Sequence, residues 1–196
     1  MKKLASTLFI IFLIFSTKAL AADNEMVKRI SEGKESAKIT IIAYESLTCG
    51  HCANFHKDVL PELKKDFIDK GLVKIEFRHF PLDLAAFNAS KIAQCNNDGN
   101  SNILHILYSG QKKWARGKTP EEATGYLKKF LESESVNLDF EKCLSDKAIE
   151  DFVLNDRIDG VKKFEVNATP TIIINDKKFD KALNYKNLKK YLEKLI

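Results

Sequence analysis

The tetrapeptide Cys49-Gly50-His51-Cys52 is the part of the sequence whose residue types and spacing could do chemistry. Two cysteines in a Cys-x-x-Cys motif, placed where a strand gives way to a helix, are typical of a redox pair. The first cysteine then lies beside the free N–H groups of the helix N-terminus, whose partial positive charge favours the thiolate. The second lies one turn later and faces the same way, so the two can close a disulfide. The motif therefore predicts thiol–disulfide exchange, with Cys49 as the reactive thiol.

The two residues between the cysteines modify this chemistry. Gly50 has no side chain and lets another polypeptide approach the backbone closely. His51, when protonated, adds a positive charge beside Cys49 and stabilises its thiolate further. We therefore predict His51 as a catalytic residue together with Cys49 and Cys52.

A Cys-x-x-Cys motif is also half of a zinc site. The other two cysteines, Cys95 and Cys143, stand alone and far apart, and the sequence has no second Cys-x-x-Cys. His56 is one turn beyond Cys52, but it belongs to the same predicted helix. The sequence therefore favours a redox pair over a metal site, and we predict no metal and no cofactor.

The elements that must position the motif are readable on both sides of it. Residues 39–44 form an apolar run that predicts a buried strand, and residues 53–69 predict a helix. An apolar residue recurs every four positions on this helix and predicts the face that packs on a sheet: Phe55, Val59, Leu63 and Phe67. Pro61 is expected to kink the helix rather than end it, and Gly71 to stop it. Residues 72–80 alternate and predict a second strand, parallel to the first.

The rest of the chain is mostly helical. Five helical patterns follow between residues 83 and 164, and Gly160 weakens the fifth. Thr119-Pro120 marks the start of the third pattern, as an N-cap followed by proline. Residues 172–174 predict a strand that Asn175-Asp176 turns into a hairpin. A last helix is predicted from Leu188, Tyr191, Leu192 and Leu195, and a short edge strand at residues 26–30.

The N-terminus has the pattern of a secretory signal peptide: two lysines, an apolar run at residues 8–15 and the small-x-small sequence at residues 19–21. The alternative is an uncleaved membrane anchor, although the run is short for a span. Residues 1–21 hold three lysines and no acid, so the formal charge of the remainder falls from +5 to +2, with 29 basic and 27 acidic residues. This balance gives no indication of nucleic-acid binding, and we predict a periplasmic location.

This order of elements resembles the DsbA-like thiol:disulfide oxidoreductases, which have a thioredoxin fold with a helical insertion. The resemblance rests on the Cys49–Cys52 motif, on Thr169-Pro170-Thr171 with the isoleucines after it, and on residues 140–144 around Cys143. It implies an α/β fold with an all-helical insertion between the second and third core strands. The expected division is a signal peptide at 1–21, a thioredoxin domain at 22–82 and 151–196, and the insertion at 83–150.

The resemblance also implies that Pro170 follows a cis peptide bond beside the redox pair, so that Thr169 presents free polar groups to a substrate segment. Members of the family usually carry a buried acid six residues before the first cysteine, where this chain has Ala43. Glu45 lies on the same strand face. It either replaces that acid as proton acceptor for Cys52 or is exposed at the strand end.

Cys95 and Cys143 are predicted to form a disulfide, because an exported chain tends to pair its cysteines and these two remain after the redox pair. The bridge would close a loop that stabilises the fold by roughly 4 kcal/mol in the chain-entropy model. Its expected role is structural. The alternatives are a regulatory bridge that alters the potential of Cys49–Cys52, and two buried free thiols.

The predicted function is the introduction of disulfides into secreted or periplasmic proteins. The partners implied are unfolded or partly folded exported proteins and a membrane reoxidant of the DsbB type. One alternative is a disulfide isomerase or reductase, since Gly-His is the dipeptide of protein disulfide isomerase, whereas the DsbA type has Pro-His. The other is a metal- or client-binding module.

Overall fold

The computed structural model of the chain describes residues 26–196. The predicted signal peptide at residues 1–21 lies outside the described residues. Within 26–196, we found no helix that is both long enough and apolar enough to cross a membrane.

A mixed sheet lies at the centre, with its strands in the order β1-β3-β2-β4-β5. The strands are β1 (Ser31–Glu32), β2 (Ile39–Glu45), β3 (Val73–His79), β4 (Thr171–Ile174) and β5 (Lys177–Lys178). The central strand β2 pairs with β3 in parallel and with β4 antiparallel. Its residues are almost all buried, because helices cover both faces of the sheet. The two predicted core strands and their parallel pairing are confirmed.

The hairpin from β4 to β5 follows from its turn residues. Asn175 and Asp176 both have positive φ, at 44° and 64°. Such a pair of angles is that of a two-residue type I′ turn, which Asn and Asp tolerate better than most residues. The predicted turn and its returning strand are confirmed.

The helix that begins with the cysteine motif runs through residues 50–68 and alternates between α-helical and π-helical turns. Its four parts are α1 (Gly50–Asn54), π1 (Phe55–Val59), α2 (Leu60–Leu63) and π2 (Lys64–Ile68). A spacing of four residues drifts by about 40° per step on a helix of 3.6 residues per turn. The wider π turns take up that drift, so the predicted stripe stays on one face and is buried. The helix continues past Pro61, and the irregularity there is the π-helical turn that precedes it.

The insertion between β3 and β4 is helical throughout the described chain. Its helices are α3 (Leu84–Gln94), α4 (Asn102–Ser109), α5 (Gln111–Trp114), α6 (Pro120–Ser133), α7 (Phe140–Ser145) and α8 (Lys147–Phe164). The five predicted helices are present, and α5 is an additional short one. The predicted N-cap is confirmed, since the Thr119 hydroxyl accepts a hydrogen bond from the Glu122 N–H at 3.2 Å.

The long helix α8 returns to the sheet by packing closely on β2 and β3. A Cβ atom at Gly160 would lie 2.8 Å from the ring of Tyr44. Gly160 is therefore required for the close approach of α8 to β2, and the helix passes through it without a break. The disulfide predicted between Cys95 and Cys143 is present, with Cα atoms 5.3 Å apart. It joins the residue that follows α3 to α7.

Two predicted elements differ from the structure. The short edge strand lies at Ser31–Glu32 and not at residues 26–30; Ile30 immediately precedes it and is buried. The last helix, α9 (Tyr185–Leu192), ends before Leu195, which is 43% exposed. Leu195 fits the helical spacing of the stripe but lies beyond the last helical residue.

Candidate active site around Cys49 and Cys52

Cys49 and Cys52 occupy the start of α1, just after the carboxyl end of β2. Cys49 is the N-cap residue, with an extended backbone (φ −78°, ψ 118°), and its side chain is half-buried. Cys52 is in the first turn and is fully buried. Both are free thiols in the structure. The pair therefore has one sulfur that is partly accessible from outside and one that is covered by the protein.

The two thiols have opposite electrostatic environments. A hydrogen bond from the Cys52 side chain lowers the pKa of Cys49 to about 5, helped by Thr169 and by the backbone N–H groups of Cys52 and His51. Burial raises the pKa of Cys52 far above its usual value, and the nearby Cys49 and Glu45 raise it further. At neutral pH the reduced pair is therefore a Cys49 thiolate beside a Cys52 thiol.

The loop before β4 completes the exposed side of the pair. The Thr169–Pro170 peptide bond is cis, as the family resemblance implied. The Cys49 Sγ lies 3.3 Å from the Thr169 carbonyl oxygen, to which the thiol form donates. The hydroxyl oxygen of Thr169 is buried and has no hydrogen-bond partner among the described residues, so it is available to the thiolate. Thr169 and Pro170 thus lie next to the reactive sulfur.

A side chain from the insertion holds the loop that carries Cys49. The Gln111 amide donates hydrogen bonds to the carbonyl oxygens of Leu47 (2.8 Å) and Cys49 (3.0 Å). Thr48 donates to Asp83, the N-cap residue of α3, at 2.7 Å. Sequence reasoning missed Gln111, because no local pattern connects residues that are 62 positions apart in the chain.

Glu45 is buried at the end of β2, with 4% of its surface exposed. The alternative that it is exposed at the strand end is therefore wrong. One of its oxygens, Oε2, lies 2.8 Å from His56 Nε2. The other, Oε1, is buried with no hydrogen-bond partner among residues 26–196. The charge of Glu45 raises the pKa of Cys52, and its role as proton acceptor for that thiol stays a prediction.

His56 is part of the site, although the sequence analysis gave it no role beyond a rejected zinc ligand. It lies four residues after Cys52, a spacing that places both on one side of the helix. Its ring stacks on Tyr108 with centroids 4.0 Å apart, and its Nδ1 lies 3.2 Å from His105 Nδ1. The four-residue spacing from Cys52 could have pointed to His56 from the sequence alone. No sequence pattern indicates its contacts with α4.

The two residues between the cysteines face open space. The side chain of His51 is exposed, and the group that lowers the pKa of Cys49 is its backbone N–H. A Cβ atom at Gly50 would meet no atom within 4 Å. Among the described residues, no group of three or more His, Cys, Asp or Glu side chains is arranged to hold a metal ion.

The amino-acid sequence is similar to a known family and to several known proteins. The thioredoxin family model matches residues 25–194. Disulfide bond formation protein D of Bacillus subtilis is 30% identical over 172 residues, which cover 83% of this chain and 74% of that protein. A putative protein-disulfide oxidoreductase of Rickettsia bellii is 30% identical over 158 residues, or 78% of this chain. This chain spans only 58% of the length of that Rickettsia protein.

The fold is also similar to that of solved structures. The crystal structure of α-DsbA1 from Wolbachia pipientis superposes with a TM-score of 0.76 at 28% identity. The superposition covers 85% of this chain and 90% of the Wolbachia chain. The likeness therefore extends over the sheet and the helical insertion together.

Proposed function

Because the chain belongs to the thioredoxin family and, within it, to the DsbA-like proteins, we propose that it is a thiol:disulfide oxidoreductase that introduces disulfides into exported proteins. The observation that carries this proposal is the asymmetry of the pair. A Cys49 thiolate with a pKa of about 5 stabilises the reduced form. A couple whose reduced form is stabilised is a strong oxidant of other thiols.

The reaction starts from the oxidised pair. A client thiolate attacks Cys49 Sγ, a new disulfide forms between the client and Cys49, and the Cys49–Cys52 bond breaks. The electron pair of that bond goes to Cys52 Sγ, which then takes up a proton. A second client thiolate attacks the client sulfur of the mixed disulfide, and Cys49 leaves as a thiolate. The client gains one disulfide and the protein retains the two electrons.

Each step of this reaction has a proposed role for one or more residues around the pair. Cys49 is the accessible sulfur and the better leaving group, because its thiolate is stabilised. Thr169 and Pro170 would bind the client backbone beside Cys49. Glu45 would accept and return the Cys52 proton, since it has a buried oxygen without a partner among the described residues and its charge acts on that thiol. His51 would contribute to the thiolate through its backbone N–H.

The proposal includes the location and the partners of the protein. The signal-peptide pattern of residues 1–21 supports export to the periplasm, where unfolded or partly folded proteins would be the clients. After one turnover Cys49 and Cys52 are reduced, so a disulfide-bearing partner must reoxidise them. A membrane reoxidant of the DsbB type would supply that disulfide, and no nucleic acid takes part.

The second candidate function is disulfide isomerisation or reduction, which the Gly50-His51 dipeptide favours. An isomerase works from the reduced state, in which the Cys49 thiolate attacks an incorrect disulfide. The geometry of the pair suits isomerisation or reduction as well as oxidation. The redox potential of Cys49–Cys52 therefore decides between the two functions.

The test compares the two directions on matched substrates. The oxidised protein is mixed with a reduced peptide that holds two cysteines, and disulfide formation is followed by mass spectrometry. The reduced protein is mixed with a protein that holds scrambled disulfides, and recovery of the native pairing is measured. We expect rapid, stoichiometric oxidation of the peptide and slow recovery of the scrambled protein. Fast recovery with slow oxidation would assign the protein to the isomerases, and Cys49→Ser should abolish both reactions.

A further inference from the structure

A chain of polar contacts leads to the protein surface from Glu45, whose charge acts on the buried Cys52. His56 Nε2 lies 2.8 Å from Glu45 Oε2, and His56 Nδ1 lies 3.2 Å from His105 Nδ1. His105 Nε2 lies 2.5 Å from Glu32 Oε1, and Lys64 Nζ donates to Glu32 Oε2 at 2.7 Å. The contacts join β2, π1, α4, β1 and π2, and every titratable group in them has a titratable partner.

The two ends of this chain differ in exposure, although Glu32, between His105 and Lys64, is only 8% exposed. The side chains of Glu45 and His56 are 3% and 5% exposed, that of His105 is 35% exposed, and that of Lys64 is 49% exposed. His105, His56 and Lys64 line a pocket of about 1080 Å³ that opens beside the active-site helix. The inner end is therefore shielded from water, whereas the outer end meets it.

The contacts around His56 are otherwise closed to solvent. Its ring packs on Tyr108 from α4 and on Phe77 from β3, with centroids 4.0 Å and 5.3 Å apart. Burial raises the pKa of the Tyr108 hydroxyl well above its usual value, and the Cys52 side chain interacts with it. The charged or titratable neighbours of the two histidines are thus Glu45, Glu32, Tyr108 and, through Glu32, Lys64.

The hydrogen bonds around the two histidines fix how many protons the chain of contacts must hold. Although burial raises the pKa of Glu32, hydrogen bonds from His105, Lys64 and Ser101 outweigh it and lower the pKa to about 2. Glu32 is therefore ionised, and His105 Nε2 donates to it. The Nδ1–Nδ1 contact needs a proton on one of the two rings. The Glu45–His56 contact needs another, which either group can carry.

These requirements leave one mobile proton in the chain. It can make His105 a cation, make His56 a cation, or reside on Glu45, and the contacts stay hydrogen-bonded in each case. If that proton is lost, the two neutral rings present bare Nδ1 lone pairs to each other at 3.2 Å. Restoring the hydrogen bond then requires a proton from solvent, which reaches the exposed side of His105.

From this geometry we infer that His56 and His105 form a proton relay between Cys52 and the surface pocket, with Glu45 as its inner end and Glu32 as the group that orients its outer end. The relay rests on the proposed function, because it serves the proton that thiol–disulfide exchange places on Cys52. It adds two histidines to the residues that serve this reaction. Neither histidine touches a reacting sulfur, and both act through Glu45.

The proton balance follows each direction of exchange. When a client reduces the pair, the Cys52 thiolate takes a proton from Glu45, His56 returns one to Glu45, His105 returns one to His56, and solvent replaces it. When a disulfide partner reoxidises the pair, Cys52 attacks Cys49 of the mixed disulfide and the partner leaves as a thiolate. The proton of Cys52 then leaves through the same groups in reverse. No electron passes through the relay.

The test separates the two steps of reoxidation by oxidised glutathione, using acid quenching and mass spectrometry. In the first step the Cys49 thiolate forms a mixed disulfide with glutathione; in the second, Cys52 must lose its proton to resolve it. In His56→Gln the amide still donates to Glu45 but transmits no proton. We expect the second step to slow at least tenfold and the first to change less than twofold. In His105→Ala, added imidazole should enter the pocket and restore the second step.

His79→Gln is the matched control, because His79 is a buried histidine outside the relay, paired with Gln94 at 3.3 Å. This variant should leave the rate of the second step, relative to that of the first, as it is in the wild type. A relay is excluded if both steps slow equally, if His56→Gln resolves at the wild-type rate, or if imidazole fails to rescue His105→Ala. Should His56→Gln not fold, the imidazole experiment decides alone. If the wild type forms no mixed disulfide at all, the proposed function fails, which is a distinct result.

Discussion

At the scale of single residues, the two cysteines of the motif differ because their surroundings differ. Cys49 is the N-cap residue of α1 and is half-buried, and the Cys52 side chain and two backbone N–H groups lower its pKa. Cys52 is fully buried, next to the charge of Glu45. Each of these contacts stabilises the thiolate of the first cysteine or the thiol of the second.

The pH dependence of alkylation tests this asymmetry. Only the thiolate reacts, so the rate at Cys49 should rise through pH 5 with its pKa and level off by about pH 7. An ordinary thiol would still be rising near pH 8.5. Cys52 should stay unreactive over the whole range, because it is buried and protonated. Mass mapping of iodoacetamide adducts measures both rates, and equal rates for the two cysteines in mild acid would contradict the assignment.

A second residue-scale prediction concerns His51. Its backbone N–H stabilises the Cys49 thiolate, whereas its ring is exposed. His51→Ala keeps the N–H, so we expect the pKa of Cys49 to rise only slightly and to remain well below that of a free cysteine. Ultraviolet absorbance of the thiolate measures this pKa. A return to about 8.5 would show that the imidazole charge, and not the backbone, supplies the stabilisation.

At the scale of elements, the site is assembled by the end of β2, the start of α1 and the loop before β4. Gln111 from α5 ties the β2–α1 loop down through two backbone carbonyls. The π-helical turn π1 begins right after α1 and contains His56. Functional sites often carry such turns, and here the turn holds the histidine that contacts Glu45.

The element-scale prediction is that Gly50→Pro folds and is slightly more stable than the wild type. Gly50 is the first residue of α1, where proline is favoured and its missing N–H is not needed. Cys49 already has the extended backbone that a residue before proline requires. No atom lies within 4 Å of a Cβ at this position. We expect a gain of about 0.4–1 kcal/mol in the free energy of unfolding, measured by urea titration; a loss would show that the α1 start is strained by the ring.

At the scale of the whole molecule, the sequence predicted the fold because its signals are local and periodic. The alternation of β3, the stripe on the active-site helix and the turn at Asn175-Asp176 each lie within a few residues. The motif also indicated its own chemistry. The β1 strand was misplaced because two residues are too few to produce a pattern.

The remainder of the site depends on contacts between distant residues, which no local pattern contains. Glu32 meets His105 across 73 positions, and Gln111 meets Leu47 across 64. Whether Glu45 is buried could not be decided from its place at the strand end. The insertion covers that end of the sheet, and this packing buries the carboxyl group together with His56.

The Cys95–Cys143 bridge gives a prediction at this scale. It joins two parts of the insertion separated by 48 residues. The double variant Cys95→Ala/Cys143→Ala should lose about 4 kcal/mol at most in its free energy of unfolding, because the unfolded chain is no longer cross-linked. The structural role predicts an unchanged potential for the Cys49–Cys52 pair in the same variant. A shifted potential with unchanged stability would instead indicate a regulatory bridge.

The measurement that tests the central claim most directly is the equilibrium potential of Cys49–Cys52 against glutathione buffers at pH 6 and pH 8. We predict a potential well above the value of about −270 mV for thioredoxin. Since Cys49 is ionised above pH 5 and Cys52 stays protonated, two electrons are accompanied by one proton. The potential should therefore fall by about 30 mV per pH unit. A potential near −270 mV that falls by about 59 mV per pH unit would mean that both thiols are protonated, and would contradict an oxidising pair built on the Cys49 thiolate.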